Sequence, residues 1–139
     1  MKTMLIGLLV LLLAACQENT RKRIDYAAFV EAQELVAQPR VTQFRFQGWQ
    51  PLDERFLILR SNQRQSYLIE LNSFCSELPF AQAITMDQSS SLSLVAKFDA
   101  IRVPGQISQR CPIKHIYVLD EVQKQALMNL KNPNEKMLE

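Results

Sequence analysis

The chain has 139 residues, 47% of them hydrophobic, and sets 16 Lys and Arg against 14 Asp and Glu for a net charge of +2. That balance excludes a partner recruited by bulk charge, nucleic acid above all. The apolar residues recur in short clusters, which excludes disorder for the body of the chain.

Lys2 precedes an apolar run from Met4 to Leu13, interrupted only by Gly7, and Ala14, Ala15 and Cys16 follow. A positive end, a short apolar stretch and small residues form the layout of an export signal. The run is too short for a membrane span, which needs roughly 20 apolar residues.

Leu13-Ala14-Ala15-Cys16 resembles the lipobox of bacterial lipoproteins. The resemblance implies that residues 1–15 are removed as a signal peptide, that the Cys16 thiol takes a diacylglycerol, and that the new amine is acylated. Each buried methylene contributes about 0.8 kcal/mol, so two or three such chains hold a protein firmly to a bilayer. Gln17 stands where, in the enterobacterial sorting pattern, an aspartate would favour the inner membrane, which points to the outer membrane and its periplasmic face.

Residues 16–24 are expected to form a tether. Its basic run Arg21-Lys22-Arg23 either rests against anionic headgroups, at roughly 1 kcal/mol per charge, or is a solvated spacer. Losing Lys2 with the leader lowers the net charge of +2 by one. The remainder suits one domain over residues 25–131, with a flexible tail over 132–139.

Of the three cysteines, Cys16 is assigned to lipid. In an oxidising compartment Cys75 and Cys111 then have one intramolecular pairing open to them, a disulfide. It closes a loop of roughly 37 residues, for which chain entropy gives about 4 kcal/mol.

Along the domain, Asp25 is placed to cap a helix over 26–37, with Ile24 and Phe29 packing across the cap and Pro39 ending it. Phe44 to Trp49 alternates apolar with polar residues, as a strand does, and Pro51 to Glu54 reads as a turn. Phe56-Leu57-Ile58-Leu59 and Tyr67-Leu68-Ile69-Glu70-Leu71 flank a polar segment and predict an antiparallel hairpin. Residues 72–83 suggest a helical turn broken at Pro79, and Ser89 to Ser93 an exposed loop leading to Leu94.

Lys97–Val103 and Ile113–Leu119 are further strands, joined by Pro104-Gly105 and a polar stretch that contains Cys111. Asp120 with Gln123 forms a capping-box signature for a helix bearing Val122, Ala126, Leu127 and Leu130 on one face, ended at Asn132-Pro133-Asn134. The expected fold is α+β: a small, mostly antiparallel sheet of about five strands, an N-terminal and a C-terminal helix, and one disulfide.

The succession Trp49, Leu52-Asp53, Phe56 to Leu59, Tyr67 to Leu71, Cys75, Phe98-Asp99-Ala100-Ile101-Arg102-Val103 and Cys111-Pro112-Ile113 resembles a group of small proteobacterial lipoproteins catalogued as a domain of unknown function. The likeness spans roughly residues 40–119. It implies a small mixed domain with paired cysteines and carries no implication of an activity.

Catalytic chemistry finds little to use. His115 is the single histidine and is expected on the side of its strand shared with Ile113 and Tyr117. A Ser-His-Asp triad would have to draw on Asp99 or Asp120, and no G-x-S-x-G elbow presents a serine. His115, Cys75 and Cys111 lack the paired spacing of metal ligands.

After the leader only Gly48 and Gly105 remain, too few for a phosphate-cradling loop. Asp53, Glu54, Glu70 and Asp99 read as solvated turn and edge charges, and Phe44, Phe46 and Trp49 as core. The chain thus reads as a non-enzyme without cofactor or metal. Its expected role is that of a membrane-anchored accessory domain with an envelope protein partner; the alternative is a module that binds a lipid or glycan fragment.

Overall fold

The computed structural model describes residues 22–62 and 64–133. The Asp25 carboxylate accepts the Ala28 N–H at 3.0 Å and starts helix α1 (Tyr26–Ala32). The helix expected to reach residue 37 stops earlier, because Glu34 adopts a left-handed φ of 50°. The N–H groups of Glu34 and Leu35 turn back to the carbonyls of Glu31 and Val30, a Schellman stop made without glycine. Ile24 and Phe29 do pack into one apolar cluster, as a staple requires.

The chain then forms β1 (Ala37–Gln38), β2 (Arg40–Thr42), β3 (Gly48–Pro51), β4 (Phe56–Arg60) and β5 (Ser66–Leu71). A 3₁₀ turn (Leu78–Phe80) leads to β6 (Thr85–Asp87), β7 (Ser93–Val95), β8 (Ala100–Val103), β9 (Gln109–Leu119) and helix α2 (Glu121–Lys131). One seven-stranded sheet runs β3-β4-β5-β9-β8-β6 with β1 also on β9, and β2 with β7 forms a separate ribbon. Every pairing is antiparallel. The class is α+β as expected, with more strands than the five counted from the sequence. The additions β1, β2, β6 and β7 span two or three residues each, too few to show a period.

The predicted hairpin is present, with Leu59 opposite Tyr67 and Phe56 opposite Glu70. Its strands read as unbroken apolar runs because both faces of the sheet are covered. On one face Leu57, Leu59, Tyr67, Ile69, Ile113 and Ile116 meet the ribbon residues Val41 and Leu94. On the other, Phe56, Ile58, Leu68, Tyr117 and Leu119 meet Tyr26 of α1 and Leu127 of α2.

Four local expectations are corrected. Residues 44–47 are not strand; Phe44 leaves the sheet to become a fully buried plug, held by its N–H to the Leu92 carbonyl at 3.1 Å. Cys111 lies inside β9, opposite Ile101, and not in a connecting loop, while Lys97 turns the chain at φ 70° before β8 begins. On α2 the capping box of Asp120 and Gln123 forms, but Val122 is 79% exposed and Leu127 alone is fully buried, so the helix touches the sheet on a narrower stripe than its sequence offers.

The disulfide joins Cys75 to Cys111 with their Cα atoms 5.9 Å apart, both side chains buried. It clips the segment following β5 to the start of β9.

Candidate functional site

The chemistry-bearing side chains gather where β4 begins and β5 ends. Along β5, Leu68 and Glu70 project toward the helix side, while Tyr67, Ile69 and Leu71 enter the opposite core. Glu70 therefore sits in a central strand with a side chain only 12% exposed, and is not the solvated edge charge its sequence context suggests.

A buried carboxylate needs partners, and a β-bulge supplies them. The β5–β9 register pairs Glu70 with His115 and then Leu71 with Ile113, so Lys114 is the extra residue. Neighbours in a regular strand point to opposite faces, whereas a bulge re-aims one of them. Lys114 Nζ reaches Glu70 Oε1 at 3.0 Å, and His115 Nδ1 lies 2.8 Å from Oε2. The same bulge separates Ile113 from His115: Ile113 enters the core beneath the ribbon, and His115 stands with Tyr117, ring centroids 5.9 Å apart. The expectation that His115 shares a side with both holds for Tyr117 alone.

Arg55 completes the cluster with Nη2 3.4 Å from Glu70 Oε1. Burial, the largest single influence, pushes the Glu70 carboxyl up, but the hydrogen bonds and charges of His115 and Lys114 together outweigh it and hold the group below its ordinary 4.5. Burial, with the Glu70 charge behind it, raises the Tyr117 phenol.

Beyond Arg55 the network continues across the surface through an aromatic ring. The Cζ atoms of Arg55 and Arg23 lie 5.6 and 5.7 Å from the centroid of Phe74, which is itself 60% exposed. Arg23 also pairs with Glu54 at 2.6 Å. Hydrogen bonding to its own backbone and to Arg23 keeps the Glu54 carboxyl below its usual value. The result is a continuous line from Glu54 through Arg23, Phe74, Arg55 and Glu70 to Lys114 and His115.

This line was not legible as a site. Phe74 lies between Ser73 and Cys75 in a segment with no period, and Arg23 is 31 positions from the glutamate it pairs with. The bulge, which alone makes Lys114 and His115 converge, leaves no mark in a strand sequence that alternates acceptably without it.

The other carboxylates considered from the sequence have local structural partners. Asp99, 1% exposed, accepts from the Ser89 N–H and Oγ–H at 2.8 and 2.9 Å and from the Val95 N–H at 2.7 Å, pinning the segments on either side of β7. Asp53 accepts from the N–H groups of Arg55 and Phe56, both at 2.7 Å, and shapes the β3–β4 turn. Asp120 caps α2. Neither Asp99 nor Asp120 is the partner of His115, so no Ser-His-Asp relay is assembled from these residues.

Among the described residues, no group of three or more His, Cys, Asp or Glu side chains is placed to hold a metal ion. Within the same residues no helix is long and apolar enough to cross a membrane. Cys16 and the leader lie outside the described residues, as does the tail from 134 onward.

No curated protein and no solved structure matches the chain. The kinship that the Trp49-to-Ile113 pattern suggested does have a counterpart among family models, one that extends over nearly the whole sequence. The chain belongs to a family of unknown function (DUF6491), whose model matches residues 1–134.

Proposed function

We propose that this protein is an envelope lipoprotein, acylated at Cys16 and held at the periplasmic face of the outer membrane, whose α+β domain acts by binding a protein partner and not by catalysis. The observation that carries the reading is the Cys75–Cys111 bond. It takes two of the three cysteines, so Cys16 has no intramolecular thiol left to pair with, and a disulfide of this kind belongs to an oxidising compartment. The signal-like leader ending in Leu13-Ala14-Ala15-Cys16 agrees with that location.

The chemistry of the Glu70 cluster supports a non-enzymatic domain. A general base works best when its pKa lies near the working pH. Glu70 is shifted the other way, and both its oxygens already engage Arg55, Lys114 and His115. Exposed Phe80 and Ile107, 82% and 87% accessible, flank the disulfide-bonded segments and offer apolar anchors for a partner.

Palmitate labelling of cells carrying Cys16→Ser tests the anchor: the label should vanish and an uncleaved precursor accumulate, whereas undiminished labelling would sink it. In-cell cross-linking of the wild-type protein tests the domain. It should capture a discrete envelope protein; copurified lipid or glycan with no protein would instead favour a small-ligand module.

A further inference from the structure

We infer that the surface formed by Arg23, Phe74 and Arg55 is the face that the domain lays against an anionic phospholipid bilayer. This rests on the reading that Cys16 is acylated. Seven positions separate Cys16 from Arg23. Fully extended, they reach at most about 25 Å. A folded domain of this size is about 35 Å across, from a radius of gyration near 13 Å. The anchor therefore cannot leave Arg23 at the pole farthest from the membrane, and the tether is short enough for the surface around Arg23 to meet the headgroups.

That surface has the composition such a position calls for. Phe74 is 60% exposed and lies against two guanidinium groups. An aromatic ring flanked by arginines suits the headgroup level, where the ring enters the acyl boundary and the guanidiniums meet phosphates. Lys22 is exposed beside Arg23, and Lys114 is 39% exposed beside Arg55. Beside these four cations, Glu54 is paired with Arg23, and Glu70 with Arg55 and Lys114.

The carboxylates of Glu54 and Glu70 are thus neutralised from within. The hairpin loop at residues 61–65 is at the other end of β4 and β5, as Arg60 pairs with Ser66 there while Phe56 pairs with Glu70 here. It supplies the control position.

The test uses the acylated full-length protein in vesicles of phosphatidylglycerol mixed with phosphatidylcholine brominated along its acyl chains. Trp49 is the sole tryptophan, so the fluorescence of Phe74→Trp less that of the wild type reports position 74. Quenching at 74 and none at Arg64→Trp is expected. Adding Arg23→Gln should lower the docked population about five-fold, the effect of one surface cation, and replacing phosphatidylglycerol with phosphatidylcholine should lower it further.

Equal quenching at 74 and 64, or none at 74 in protein that stays vesicle-bound, overturns the docking face while leaving the anchor intact. Protein that carries no acyl chain and fails to stay with vesicles overturns the anchor, and the docking face with it.

Discussion

Glu70 and His115 face each other across the β5–β9 ladder, with the carboxylate Oε2 2.8 Å from the imidazole Nδ1. The extra residue of the bulge, Lys114, reaches the other oxygen of the same carboxylate. A central strand thereby accommodates a charge that its neighbours Phe56 and Leu68 could not solvate. Because the Glu70 carboxyl is held below 4.5, it contributes stability that is present above that pH and is lost as pH falls through its depressed folded value.

Replacing Glu70 with glutamine should therefore cost about 1–2 kcal/mol at neutral pH, allowing for the partial exposure of Arg55 and Lys114. The cost should shrink as pH falls through the depressed folded value, where the wild-type carboxylate becomes protonated too. Urea unfolding of both proteins between pH 3 and pH 7 checks this. A constant difference across that range would show that the ionised cluster contributes nothing.

The disulfide closes a loop with a sequence separation of 36 between Cys75 and Cys111. Chain entropy assigns it about 4 kcal/mol. Both sulfurs are buried, so a reductant should act slowly until the domain opens. Cys75→Ser with Cys111→Ser, compared with wild type by denaturant unfolding, should show the full loss; a difference below about 1 kcal/mol would refute the entropic account.

Glu34 holds a φ of 50° at the Schellman stop of α1. A side chain there costs roughly 1 kcal/mol relative to glycine. Glu34→Gly should raise stability by about that amount and leave the helix boundary unchanged. A lower melting temperature in this variant would mean that Glu34 makes a contact that outweighs the strain.

All three tyrosines are raised above 10.0, with burial the first cause in each, and Tyr26 is pushed to about 12. The neutral phenols contribute stability that is present below 10 and is lost as pH climbs from there toward the folded values. Ultraviolet titration of the native protein should show less phenolate at pH 10 than the denatured chain, which is half ionised there. A native titration that overlays the denatured one would contradict the packing of Tyr26 against Phe56, centroids 5.8 Å apart.

Much of the fold was legible residue by residue. Phe56–Leu59 and Tyr67–Leu71 announced the hairpin because a strand covered on both faces must be apolar throughout. Asp25 and Asp120 announced two helix starts because a capping side chain acts within three residues of itself. The α1 stop was missed because its left-handed position holds glutamate instead of glycine, and the 44–47 segment was misread because a loop that buries Phe44 and half-buries Phe46 alternates as a strand would.

What the sequence by itself determined is local or combinatorial: the caps, the hairpin, and the Cys75–Cys111 pairing. Each depends on residues close in the chain or on a count too small to permit alternatives. Only the tertiary structure decided that Glu70 lies buried against His115 and Lys114, and that Phe74 lies between Arg23 and Arg55. Those contacts span 19 to 51 positions, and those of Glu70 depend on one inserted residue in β9 turning a side chain from one face to the other. A period of two along a strand cannot record such an insertion until its partner strand is in place.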